Sequence, residues 1–215
     1  MYILDDVLGG KTVIFDYEQA EKIYKLIHGW LSSKSVGEHV TKSSFKYYQK
    51  ELWNPILESI DELCSKEKLN QEEKDFLDLV KYNGIIFRVL NYNPQARRYV
   101  CELQEYQSWS KTIDGIMGVP GIHGNVLLLI GKADVGIDVF GHLCFLVKYK
   151  YIYNSQDRYS FESIARYEKE EEIVYKTSFD KIEKIVVVNS ENLKEYEKNI
   201  VRKIAKDLWG RKKIN

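Results

Sequence analysis

The sequence predicts an α+β fold: a helical first part, a mixed β-sheet core and a closing helix. Three observations predict it. Apolar residues recur at helical spacing up to about residue 83, short β-branched and aromatic runs take over from Gly84, and a helical stripe returns from about Glu191. The 215 residues suffice for one large domain, divided into a helical lead-in (1–83), a β-rich core (84–190) and a C-terminal helix (191–215).

Tyr17, Ala20, Tyr24, Ile27 and Leu31 alternate spacings of 3 and 4, which sets them on one face of a first helix. Phe45, Tyr48, Leu52, Ile56, Ile60 and Leu63 repeat the pattern across Asn54-Pro55. A break is expected there, with Asn54 capping a second helix and Pro55 in its first turn. A third helix starts at Asn70, with Glu73 placed for a capping box, and is expected to end at Asn83-Gly84.

The strand candidates follow: GIIFRVL, RRYVCELQEYQSWS, NVLLLIGKA, EEIVYK and KIEKIVVV. NVLLLI and IVVV are nearly all apolar, as strands covered on both faces are. Helical pieces are expected at Thr112–Met117 and within Asp138–Lys150. Leu193, Tyr196, Ile200, Ile204 and Leu208 form the stripe of the last helix, which Gly210 stops.

The chain is 44% apolar with 16 Tyr, 8 Phe and 4 Trp, so it can fill a core and is not disordered. Lys+Arg and Asp+Glu are both 32, and a balanced charge gives no general field for nucleic acid or anionic membrane. Cys64, Cys101 and Cys144 form no CxxC pair, which fits a reducing compartment rather than a disulfide scaffold. No signal-peptide pattern or membrane-length apolar run is present, so a soluble, cytoplasmic monomer is expected. His123, His142 and Cys144 lack metal-ligand spacing, so no metal is expected. The glycines of residues 118–124 precede a strand rather than a helix, the context of a turn and not of a phosphate loop.

Three features of the β-rich part can carry chemistry. Arg88 is a lone cation in an apolar strand, either an ordinary strand-edge arginine or a fixed guanidinium for a phosphate. Ser108-Trp109-Ser110 ends the next strand, where a hydroxyl either caps the following helix or enters a site. Glu168, Glu170, Glu171 and Glu172 crowd against the apolar strand Ile173-Val174-Tyr175. Such a run is either a solvated face or a set of carboxylates whose mutual repulsion raises some of their pKa values.

An arginine on an early strand, a Ser-x-Ser on the next and a Glu-x-Glu entering a later apolar strand resembles the Arg-Ser-Glu class of mono-ADP-ribosyltransferases. That family includes clostridial and cholera-like toxins, vertebrate arginine-specific enzymes and phage enzymes. The resemblance covers about residues 70–190, and EYQSWSK, NVLLLIGKADVGIDV and EEEIVYKTSFDKIEKIVVV look like the family's central and closing strands. Trp109 stands where many members have Thr.

The resemblance implies an enzyme that cleaves NAD and moves ADP-ribose to an acceptor, expected to be a protein and not a nucleic acid. Arg88 would hold the phosphate and ribose, Ser108 would brace the site and Ser110 support it. Glu172 would bind the nicotinamide ribose 2′-hydroxyl, and Glu170, on the same strand face, would orient or activate the acceptor. A glutamate there suggests an arginine acceptor. The segment from Lys150 to Glu168, with Tyr151, Tyr153, Tyr159 and Phe161, would be the target-recognition loop. Two registers are open, Glu168-x-Glu170 and Glu170-x-Glu172, and the apolar residues after Glu172 favour the second. Arg97 and Arg98 rival Arg88. An NAD glycohydrolase and a noncatalytic binding or immunity-type module are the competing functions; a delivered toxin, a phage effector and a housekeeping enzyme are equally compatible.

Overall fold

A computed structural model describes residues 14–35, 46–92, 106–117, 122–151, 166–176 and 178–199. Helices and a five-stranded sheet make the fold α+β. The chain divides into two compact units, residues 1–81 with 141–164 and residues 82–140 with 165–215.

The first unit is helical. Helix α1 (Tyr17–Ser35) buries Ala20, Ile23, Tyr24, Ile27, Trp30 and Leu31, while Tyr17 at its start is 51% exposed and leaves the expected stripe. Pro55 does sit in the first turn of a second helix, as expected, but no break precedes it and the helical path is continuous. A π-helical turn (Gln49–Trp53) runs straight into α2 (Asn54–Cys64), with Asn54 itself helical at φ −61° and Trp53 at the cap position. Proline has no N–H to give the preceding turn, and a widened turn accommodates that without ending the helix. Trp53, Ile56, Ile60 and Leu63 are buried, and Trp30 meets Trp53 edge-on at 5.2 Å.

Helix α3 (Gln71–Val80) opens with the expected capping box: Glu73 N–H donates to Asn70 Oδ1 at 2.9 Å, and Asn70 N–H donates to Glu73 Oε2 at 2.8 Å. It ends earlier than expected, because β1 (Lys81–Asn91) takes over directly after Val80. Gly84 therefore lies inside a strand rather than at a helix stop. Its missing side chain is filled by the Tyr82 ring, whose hydroxyl would be 2.7 Å from a Cβ there and donates to the Ile85 carbonyl.

Most of helix α5 (Val139–Lys148) also belongs to this unit. His142 on it is completely buried, stacked on Phe15 at 5.8 Å and met edge-on by Phe76 at 5.7 Å. Among the described residues neither ring nitrogen has a hydrogen-bond partner, and burial lowers its pKa to about 3, so the ring is neutral. Tyr151, expected in a recognition loop, is instead buried and donates its hydroxyl to Glu72. Tyr153, Tyr159 and Phe161 lie outside the described residues.

The second unit is the sheet, in the order β1-β2-β4-β3-β5, with a further β1–β3 pairing. Strand β2 is Tyr106–Ser110, β3 Asn125–Asp138, β4 Glu172–Lys176 and β5 Ile182–Asn189. The expectation of a mixed sheet narrows: the β1–β2, β2–β4, β3–β4 and β3–β5 pairs are antiparallel. Strand β3, 14 residues long, pairs with β5, β4 and β1, and its register against β5 shifts at Ile130/Gly131. Its first half pairs with β5 and its end, Ile137-Asp138, with β4.

Both faces of the sheet are covered. One carries Phe87, Val126, Leu128 and Ile130 with Ile113 and Ile116 of helix α4 (Ile113–Met117) and Leu193. The other carries Ile86, Trp109, Leu127, Leu129, Ala133, Ile173 and Tyr175. Within NVLLLI the apolar residues Val126 to Ile130 are all buried, as their composition requires, and Asn125 at the start is exposed. IVVV is not: β5 closes the sheet order, and Ile185 and Val187 remain 49% and 50% exposed while Val186 and Val188 pack inward. The last helix, α6, spans 193–199 among the described residues and buries Leu193; Ile200, Ile204, Leu208 and Gly210 lie beyond them.

Candidate functional site

The antiparallel ladder between β2 and β4 sets Ser110 opposite Glu172 and Ser108 opposite Val174. Opposed residues share a face, so Ser108, Ser110 and Glu172 project to the same side of the sheet. Phe87, paired with Ser110 across β1, belongs to that side as well. Glu172 is 3% exposed and Ser110 is 4% exposed, unusual depths for such groups in a strand whose neighbours are Ile, Val and Tyr.

Arg88 reaches the same place by another route. Its Nη1 donates to the backbone carbonyl of Ser108 at 2.8 Å. Strand alternation nevertheless puts Arg88 on the face of Ile86, opposite to that of Phe87, Ser110 and Glu172. The three motifs thus occupy three neighbouring strands, but the serines and Glu172 share a face that Arg88 does not. Arg97 and Arg98 lie outside the described residues.

The acidic run is held by the end of β2 and the segment that follows it. Ser110 Oγ donates to the Glu170 carbonyl at 2.9 Å, and Lys111 N–H donates to the Glu171 carbonyl at 3.1 Å. Thr112 Oγ1 donates to the Glu171 carboxylate and accepts the Gly115 N–H at 3.1 Å. Glu171 has φ 46°, a left-handed conformation, and its N–H donates to the Glu168 carbonyl at 3.0 Å. Gly115 has no room for a side chain, since a Cβ would stand 2.2 Å from Ser110 Oγ and 2.4 Å from the Glu170 carbonyl oxygen.

This geometry corrects the expected relation between Glu170 and Glu172. Residues two apart share a face only along a continuous strand. Here Arg166–Glu170 is a 3-10 helix, Glu171 makes the turn, and β4 begins at Glu172. The two carboxylates arrive from different elements. Glu168 and Glu171 face an open depression of about 740 Å³ shared with Thr112, Asp114, Lys194 and Glu197. Neither Ser108, Ser110 nor Glu172 lines it.

A second polar arrangement borders the site. Lys111 Nζ is ion-paired with Asp138, at the end of β3. Burial first, and the carboxylates of Asp138 and Glu171 next, push the Tyr82 hydroxyl above its ordinary pKa. On the far side, Asp134 accepts from both Lys181 Nζ at 2.8 Å and Tyr175 Oη at 2.7 Å, which holds its carboxyl well below the usual range.

No protein-family model, curated protein or solved structure matches the chain. The family resemblance therefore rests on its residues alone. Among the described residues, no group of His, Cys, Asp and Glu side chains is placed to hold a metal ion, and no helix is long and apolar enough to cross a membrane.

Sequence reasoning missed Thr112 and Gly115. Thr112 carried a weak signal as the next hydroxyl after the Ser-x-Ser, in register to continue it. Gly115 carried a better one, a glycine inside a helical stretch, which marks a close approach more often than a stop.

Proposed function

We propose that the chain is a mono-ADP-ribosyltransferase that cleaves NAD at the nicotinamide–ribose bond and transfers ADP-ribose to a protein side chain, with arginine the favoured acceptor. The observation that carries this reading is the direct pairing of the Ser-x-Ser strand with the strand that begins at Glu172, both residues of the Ser110–Glu172 pair being buried on one face.

The chemistry asks for these residue types. As the C1′–N bond breaks, nicotinamide leaves with the bonding pair as a neutral molecule, so no proton need be supplied to it. Positive charge grows on the ribose, and a fixed carboxylate beside it stabilises that charge. Glu172 takes this role, because a buried carboxylate in low dielectric acts more strongly than one in water. Ser108 braces the ribose side, Ser110 holds the carbonyl of Glu170, and Arg88 offers a planar cation for the diphosphate. The acceptor's lone pair then forms a bond to C1′ and the acceptor loses a proton, a step for which Glu170 is the base or the orienting group.

A noncatalytic binding module is the second reading. The position of Arg88 on the opposite sheet face favours it, since a ligand gripped by Glu172 on one face is not reached by a cation based on the other. Nicotinamide release from NAD by the purified protein separates the two: the transferase releases it and labels a protein in lysate, and the binding module does neither. Release without any labelling, even with lysate present, identifies the same bond cleavage with water as acceptor.

A further inference from the structure

The acidic run is gripped by three successive residues, the last of β2 and the two that connect it to α4. Ser110, Lys111 and Thr112 contact Glu170 and Glu171, and Glu172 is the ladder partner of Ser110. Glu171 is the centre of this arrangement. It alone of the four glutamates has positive φ, and each of its polar groups is engaged: the N–H by Glu168, the carbonyl by Lys111 and the carboxylate by Thr112. A non-glycine residue in this conformation is held there by its surroundings; two of the three contacts are backbone to backbone, and the Thr112 hydroxyl is the side-chain group among them.

We propose that Thr112 is a positioning residue: by anchoring the carboxylate of Glu171, it fixes the left-handed turn from which Glu172 enters the sheet. This rests on the transferase reading for its catalytic consequence, but the anchoring itself does not. Glu171 is thereby assigned to architecture rather than to substrate. Thr112 also caps the first turn of α4 through the Gly115 N–H, so one hydroxyl ties the short helix to the turn. Gly115 permits the approach, because any side chain there would displace Ser110 Oγ or the Glu170 carbonyl. A turn that slackens moves Glu172 relative to the ribose while leaving the rest of the NAD contacts in place. Misplacement of a reacting group by about 1 Å can cost about a hundredfold in rate.

The experiment compares Thr112→Val, Thr112→Ser, Glu171→Ala and Glu171→Gly in steady-state nicotinamide release, with amide hydrogen exchange of residues 168–173 on the same samples. Thr112→Val should lower kcat about tenfold to a hundredfold with KM for NAD within about twofold of wild type. Thr112→Ser keeps the hydroxyl and should restore most of kcat. Glu171→Gly should retain more activity than Glu171→Ala, since glycine adopts the left-handed turn without an anchor. Exchange at 171–173 should quicken in Thr112→Val and Glu171→Ala alone. Wild-type kcat in Thr112→Val overturns the proposal. If wild-type protein releases no nicotinamide, the transferase reading fails, and the exchange data decide the anchor: faster exchange in Thr112→Val supports it, and unchanged exchange overturns it.

Discussion

Ser110 on β2 and Glu172 on β4 are ladder partners, and both side chains are buried on the sheet face that also carries Phe87. A hydroxyl and a carboxylate at that depth, directly opposed, are costly to place in an apolar sheet. Ser110 resolves its part of that cost by donating to the Glu170 carbonyl at 2.9 Å and accepting the Thr112 N–H at 3.3 Å.

Gly115→Ala tests how tightly this corner is packed. A Cβ 2.2 Å from Ser110 Oγ and 2.4 Å from a backbone carbonyl has to displace one or the other. Overpacking of this kind costs about 1–3 kcal/mol, which lowers the melting temperature by roughly 2–12 °C in a chain of this size. Calorimetry of the variant reads this directly. A variant that melts at or above wild type, as helix propensity alone would give, contradicts the packing described.

His142 makes the stability pH-dependent. Burial holds its folded pKa at about 3, below the ordinary value of 6.5 that it regains in the unfolded chain. The unfolded chain binds a proton that the folded chain refuses. The contribution is therefore fully present above about pH 6.5 and is lost as the pH falls towards 3. Between pH 7 and pH 5 this group alone removes about 2 kcal/mol. Urea denaturation of wild type and His142→Phe at both pH values checks it: the loss should shrink in the variant. An equal loss in both places the acid sensitivity elsewhere.

Much of the fold was legible in the sequence because its elements follow local rules. The Asn70–Glu73 capping box, the helix at Ile113–Met117 and the strands at Tyr106–Ser110 and Glu172–Lys176 depend on spacing and caps that a few residues set. The misreadings are cases where tertiary contacts decide. Proline at position 55 announced a break, yet a π-helical turn absorbed it. Gly84 resembled a helix stop, yet it makes room for Tyr82. IVVV read as buried on both faces, but no local signal says that a strand will close the sheet order. In the site, residue types and their order were readable, whereas facing was not. One residue at φ 46° separates Glu170 from the strand of Glu172, and strand parity sets Arg88 on the face opposite to the serine side chains, although it reaches the Ser108 carbonyl.

The exposed position of β5 gives a paired test of its register. Val187 is 50% exposed, whereas Val186 packs among Phe87, Val126 and Leu128. Val187→Lys should change stability by less than about 0.5 kcal/mol, and Val186→Lys should cost roughly 1–3 kcal/mol. Denaturant midpoints of the two variants should separate accordingly. A reversed order means the strand is turned by one residue.

The N-terminal cap of α3 is a purely local contributor. Replacing Asn70 by Ala removes the acceptor for Glu73 N–H and half of the reciprocal pair. The loss is about 1 kcal/mol, a shift of roughly 2–4 °C. Asn70→Ser, which keeps a capping oxygen, should recover most of it in the same melting experiment; no recovery assigns the effect to something other than capping.

The most direct test of the functional reading is nicotinamide release from NAD by wild-type protein and by Glu172→Gln, which keeps the shape but removes the charge and turns one acceptor oxygen into an NH2 donor. Release by the wild type and a fall of about a hundredfold or more in the variant are expected, the size of a lost transition-state charge partner. Wild type that releases no nicotinamide with lysate as acceptor, and shows no NAD binding by calorimetry, contradicts it and leaves the binding module as the reading of this sheet.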